Sequence, residues 1–147
     1  MLPRGSSDEK IRREFRWRVP ERYNIGVDVA DRHGDRLALI FLDERHRESR
    51  LTFREISALA NRFANALSAR GLKPGERLAV LLPQTPETAI AHVAAFKAGL
   101  VSVPLFTLFG EDALEFRIAD SGAKALVTDA AGFAKLEAIR DRLPALE

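Results

Sequence analysis

His33, His46 and His92 are the three imidazoles of this chain, and no two of them stand at a spacing that would hold a metal ion. His46 falls in the polar run Asp43 to Glu48, where a solvated role is expected. His92 lies in an alanine-rich stretch and reads as a structural or partly exposed residue rather than a ligand or base. Asp129 follows an apolar run, a place where a general base can stand. No partner base or nucleophile accompanies it, so a turn or cap role is expected instead. The chain has no cysteine, which excludes a thiolate zinc site, a cysteine nucleophile and a disulfide framework. The glycines form neither G-x-G-x-x-G nor G-x-x-x-x-G-K-[ST], and no G-x-S-x-G elbow is present. Ala131 to Lys135, with its single glycine, is too glycine-poor to cradle a phosphate. The expectation is therefore that these residues include no catalytic, cofactor-binding or metal-ligating set.

The elements that would position such residues are better written than the residues themselves. Leu37 to Leu42 is a compact apolar run and reads as a strand. The polar run 43–48 is an exposed turn, and Ser49 to Leu51 returns as a second strand of a hairpin. Thr52 and Glu55 have the spacing of a capping box, with Leu51 and Ile56 spaced as a hydrophobic staple. Phe53, Ile56, Leu59, Ala60, Phe63 and Leu67 then mark one helical stripe. Gly71 fits a Schellman ending, and Pro74 prevents the helix from resuming. Leu78 to Leu82 is apolar at every position, as in a strand covered on both faces. Thr85 and Pro86 read as N-cap and first residue of a second helix, which Gly99 ends. Val101 to Leu105 is a short strand, placed near an edge by Pro104. A helix over 111–121, a strand over 124–128 and an amphipathic helix marked by Phe133, Leu136, Ile139 and Leu143 complete the chain. Residues 25–33 carry a weaker helical pattern.

Strand–helix–strand–helix–strand over 78–128 predicts an α/β fold with a wound parallel sheet, flanking helices and right-handed crossovers. The alternation makes a further strand due after the last helix, so the sheet is expected to be incomplete. A chain of 147 residues has room for one domain with a substantial core. No apolar run approaches the ~20 residues that span a bilayer. The first residues show no apolar signal-peptide segment, and Asp8, Glu9 and Glu14 count against a mitochondrial presequence. A cytoplasmic setting is the simplest reading.

Residues 1–24 read as an irregular basic arm: Lys10, Arg12, Arg13, Arg16, Arg18 and Arg22 interleave with Phe15 and Trp17. Such a cluster could touch nucleic acid. Nothing later in the chain extends the basic stripe, and the net charge is only +2. The expectation is a solvated lead-in whose aromatics pack on the domain, with no nucleic-acid partner.

Two stretches carry a specific resemblance. Leu51-Thr52-Phe53-Arg54-Glu55-Ile56 resembles the first core motif of adenylate-forming enzymes, usually Leu-Thr/Ser-Tyr-x-Glu-Leu. Phe96-Lys97-Ala98-Gly99-Leu100-Val101-Ser102-Val103-Pro104-Leu105 resembles their second, usually Leu-Lys-Ala-Gly-x-x-Tyr-Val-Pro-Leu. Between and after them, residues 71–80 resemble the family's Gly-x-x-x-Gly-Asp-x-Val stretch and 120–128 its Ser-Gly-Ala-Lys strand. Order and spacing agree throughout. The opening Trp17 to Asn24 is most similar to acetyl- and medium-chain acyl-CoA synthetases. Phe53, Ile56 and Ser102 depart from the usual residues. Leu108 stands where some medium-chain relatives place a glutamine that touches CoA, so that role is not carried over.

The resemblance implies that 25–147 is a partial AMP-binding synthetase domain, the N-terminal part of the large domain of the adenylate-forming fold. It implies an acid-thiol ligase that makes an acyl-adenylate from a carboxylic acid and ATP, then an acyl-CoA, as in fatty acid metabolism. ATP, Mg and CoA are the cofactors and partners it implies for the full-length enzyme, with none bound by this segment. The family's phosphate loop, Thr-Ser-Gly-Thr-Thr-Gly-x-Pro-Lys, is not among these residues, so the chain alone is expected to be inactive. The alternative is a self-contained α/β binding or interaction module without catalysis. Oligomeric state and acyl chain length are not legible.

Overall fold

The structure, a computed structural model, describes residues 7–147. The part of the arm before Ser7 lies outside the described residues. The rest of the arm is not wholly irregular: Asp8–Glu14 forms a short helix, α1. The Ser7 side chain caps it, and Asp8 and Glu9 complement its amino end while Arg12 and Arg13 complement its carboxyl end. The expected packing of the arm's aromatics on the domain fails at Trp17, which is 83% exposed.

Ile25–Ala30 is a helix, α2, capped by the Asn24 side chain and continued by a 3-10 turn to His33. Leu37–Leu42 (β1) and Glu48–Thr52 (β2) pair antiparallel as the predicted hairpin. Its turn is held by Asp43, whose Oδ1 accepts from the Arg45 and Arg47 amides at 2.8 and 2.9 Å. Phe53–Ala69 is α3. Its capping box is present in both directions. Thr52 Oγ1 accepts from the Glu55 amide at 3.2 Å, and Glu55 Oε2 accepts from the Thr52 amide at 2.7 Å. At the other end Leu72 N–H donates to Leu67 C=O and Gly71 N–H to Ser68 C=O, the two bonds of a Schellman motif.

The remaining elements form one unit. Arg77–Leu81 (β3), Val101–Pro104 (β4) and Ala125–Thr128 (β5) make a parallel sheet in the order β4-β3-β5. Pro104 ends an edge strand, where its missing N–H does not interrupt the sheet. Pro86–Lys97 (α4), Glu111–Ser121 (α5) and Ala130–Glu137 (α6) are the connecting helices. β3 explains its own apolar run: alternate residues face opposite layers. Leu78 and Val80 enter a core with Leu67 of α3 and Ala91 and Ala95 of α4. Ala79 and Leu81 enter a second core with Leu114 and Ile118 of α5 and Leu136 of α6. All four β3 residues are almost fully buried, and burying a leucine contributes about 1.5–3 kcal/mol. Alanines at 60, 64 and 94 let α3 and α4 approach closely.

Two expectations are corrected. Thr85 occupies the N-cap of α4 but makes no capping bond with its side chain. The Thr88 hydroxyl instead donates to the Pro83 carbonyl at 2.5 Å and fixes the turn from inside the helix. The last helix ends at Glu137, so Ile139 and Leu143 reach the core from an irregular segment with a 3-10 turn over Arg140–Arg142. Phe133, predicted on the buried stripe, is 56% exposed.

Candidate functional site

Ligands of wound parallel sheets gather beyond the carboxyl ends of the strands. Here those ends are occupied by structure-making groups. Beyond β3, Pro83 and Thr88 close the turn into α4. Beyond β4, the loop 106–110 is tied down by Lys135 of α6, whose ammonium donates to the Thr107 and Phe109 carbonyls at 2.7 and 3.1 Å. The Arg117 guanidinium lies 4.4 Å from the centre of the Phe109 ring. Phe106 and Leu108 of that loop stay exposed.

Beyond β5, Asp129 caps α6: its Oδ1 accepts from the Gly132 amide at 2.8 Å. The carboxylate that sequence alone could assign to proton transfer is thus committed to a helix end. Gly132 is required there, since a Cβ would fall 2.0 Å from Thr128 Oγ1. Thr128 Oγ1 is buried without a hydrogen-bond partner among the described residues. It borders a groove of about 510 Å³ along β5, lined by apolar side chains such as Leu126 and Leu136 and by Glu137, Arg140 and Glu147. The Arg140 guanidinium donates to the Leu143 and Leu146 carbonyls. The carboxylates of Glu137 and Glu147 oppose a phosphate there. No glycine-rich loop stands at any of the three strand ends, and among the described residues no three His, Asp or Glu side chains could hold a metal ion.

The strongest polar constellation lies elsewhere, around Lys97. Its side chain is 6% exposed, and its ammonium donates to Asp31 Oδ1 at 2.5 Å, Ser57 Oγ at 2.9 Å and Asn61 Oδ1 at 2.8 Å. Burial pulls the Asp31 carboxyl upward, but the hydrogen bonds from Lys97 and Ser57 outweigh it and hold the group below its ordinary value. Asn24 caps α2 and also donates to the Lys97 carbonyl at 3.0 Å. A Cβ at Gly26 would sit 2.6 Å from Lys97 Cγ. Lys97 thus joins α2, α3 and α4 at one point. Sequence reasoning missed it as a hub, although a signal was there: Lys97 is the sole Lys, Arg, Asp or Glu between Glu87 and Glu111.

His92 Nδ1 lies 2.7 Å from Ser102 Oγ, joining α4 to β4, and its ring stacks on Phe96. Burial lowers its pKa below the ordinary histidine value, so the ring is neutral at neutral pH. His33 packs on Phe53 and contacts Arg36. His46 sits in the hairpin turn with φ 57. The structure brings none of the three histidines together with Asp129 into a reacting constellation.

Each of the recurring stretches read from sequence is therefore a device of the fold. The first starts α3 with its capping box. The second holds Lys97, ends α4 at Gly99 (φ 70) and begins β4. The family model described as AMP-binding enzyme matches residues 27–147. The chain belongs to the AMP-binding enzyme family. Among its AMP-binding relatives, the acetyl-coenzyme A synthetase of Magnetococcus marinus is 37% identical over 119 residues, covering 78% of this chain and 18% of the relative. The mitochondrial acyl-coenzyme A synthetase ACSM3 of Mus musculus is 34% identical over 134 residues, covering 84% and 23%. The crystal structure of an acyl-CoA synthetase from Brucella canis matches with a TM-score of 0.77 and 32% identity, over 84% of this chain and 22% of that one. The N-terminal domain of FACL13 from Mycobacterium tuberculosis matches with a TM-score of 0.73 and 30% identity, over 84% and 32%. The chain spans about a fifth of the length of these curated relatives. Its fold is that of the N-terminal part of adenylate-forming enzymes.

Proposed function

We propose that residues 27–147 serve as the opening segment of an ATP-dependent acyl-CoA synthetase, which converts a carboxylic acid to an acyl-adenylate and then to an acyl-CoA. The observation that carries this reading is the match to acetyl- and acyl-CoA synthetases over most of the chain. The segment's work is scaffolding: a buried β3, helices stopped by glycine, and the Lys97 junction. ATP, Mg and CoA belong to the whole enzyme, and these residues form no cradle for them. A cytoplasmic place in fatty acid metabolism is part of the same reading. On its own the 147-residue chain is inactive in adenylation.

The test is ATP–pyrophosphate exchange with a panel of short- and medium-chain carboxylates. No carboxylate-dependent exchange is expected, and exchange above background overturns the inactivity. The rival reading, a self-contained binding module, draws on the two closed cores around β3. It requires a monomer that unfolds in one cooperative transition. The exposed Ile40 and Leu42 of the hairpin and the open side of β5 speak instead for concentration-dependent association. Analytical ultracentrifugation over a range of concentrations separates the two.

A further inference from the structure

Beyond α1 the arm turns extended, with Phe15 at φ −65 and ψ 131. The Phe15 and Trp17 rings meet edge-on with centroids 5.1 Å apart. Trp17 and Val19 are 83% and 79% exposed, so neither is covered by the domain. Residues 10–18 carry Lys10, Arg12, Arg13, Arg16 and Arg18 against the lone carboxylate of Glu14. Glu14 is held by Arg13 at 3.6 Å. Among the described residues, Arg16 donates to the Arg13 and Phe15 carbonyls and pairs with no carboxylate.

We propose that this arm docks the protein on an anionic lipid surface. The exposed Trp17 and Val19 enter the headgroup region while the neighbouring arginines hold lipid phosphates, the combination that interfacial anchors use. A single nucleic-acid strand would reward the aromatics and arginines, but not the exposed Val19. The charge and the aliphatic exposure together favour lipid.

Trp17 is the sole tryptophan of the chain, so its fluorescence reports the arm directly. The 147-residue chain is titrated with phosphatidylcholine vesicles with and without phosphatidylserine. A blue shift is expected with the anionic vesicles only, reversed by raising the salt. In co-sedimentation, Arg16→Gln with Arg18→Gln weakens partitioning by about tenfold or more, and Trp17→Ser with Val19→Ser does likewise. Far-UV circular dichroism confirms that these exposed substitutions leave the fold intact. An absent shift, equal binding to neutral vesicles, unchanged partitioning of the variants, or a shift given by a single-stranded oligonucleotide instead of vesicles overturns the proposal.

Discussion

Removing the Lys97 ammonium tests whether a buried ion pair or apolar packing holds the amino-terminal helices on the domain. Lys97→Met keeps the aliphatic stem and deletes the charge. Three oxygens then lose a donor: Asp31 Oδ1, Ser57 Oγ and Asn61 Oδ1. Breaking a buried pair by removing one partner costs about 3–5 kcal/mol. Asp31 is 36% exposed at its side chain and can rehydrate, so the expected cost falls to about 2–3 kcal/mol. In urea that is a drop of roughly 1 M in midpoint at an unchanged slope. Asp31→Asn leaves the 6%-exposed ammonium with Ser57 and Asn61 alone, and is expected to cost about 2 kcal/mol. The two losses share one interaction, so the double variant loses less than their sum by about 1 kcal/mol or more. The Asp31 carboxyl is held below its ordinary value in the folded chain. Its contribution is therefore present above the unfolded value of 3.8 and is lost as pH falls through the folded one. Urea denaturation of the four proteins, followed by circular dichroism, reads all of this. A Lys97→Met cost under about 0.5 kcal/mol, or single effects that simply add, would refute the hub.

Two further outcomes are expected. Gly99→Ala destabilises by about 1–3 kcal/mol, because Gly99 sits at φ 70 and a Cβ would lie 3.2 Å from Pro74 Cβ; an unchanged urea midpoint contradicts this. His92 has a folded pKa below 6.5, so the folded state binds fewer protons there, and stability falls as pH drops through 6.5 toward the folded value. An NMR titration of its ring should place it below 6.5, and His92→Gln should flatten the fall between pH 7 and the onset of carboxylate titration; a ring titrating at or above 6.5 contradicts the burial argument.

What sequence made legible were the local instructions. Thr52 and Glu55 act within one turn, and Gly71, Gly99 and Gly122 (φ 92, 70 and 58) need only their own backbone angle to end a helix. The all-apolar β3 announced two covered faces, and both exist. Long-range choices were less visible. Thr85 has the right type and place for a cap, yet Thr88 makes the hydrogen bond that holds the turn, because the Pro83 carbonyl faces it. Phe133 has helical spacing with Leu136 and lies in the same helix, yet Leu136 alone of the two is buried. Lys97 was read as one letter of a motif, since its partners lie 36, 40 and 66 residues away.

The same distinction bears on what the family signatures of this chain do. A signature can recur because substrate demands it or because the fold does. At Gly132 and Gly26 the demand is steric: a Cβ would strike Thr128 or Lys97. At Ser102, where the family's usual tyrosine is replaced, the hydroxyl is kept in play by His92 and not by a ligand. At Asp129 the carboxylate completes a helix. Among the buried side-chain polar atoms of the described residues, Thr128 Oγ1 alone has no partner; it lies at the carboxyl end of β5 beside the groove lined by Leu126, Leu136, Glu137 and Glu147. A hydroxyl of that kind can accept or donate one hydrogen bond, which is enough to register a neighbouring strand or loop and too little to polarise a phosphate. The residues that carry the family signature here are therefore those that decide how helices begin and end.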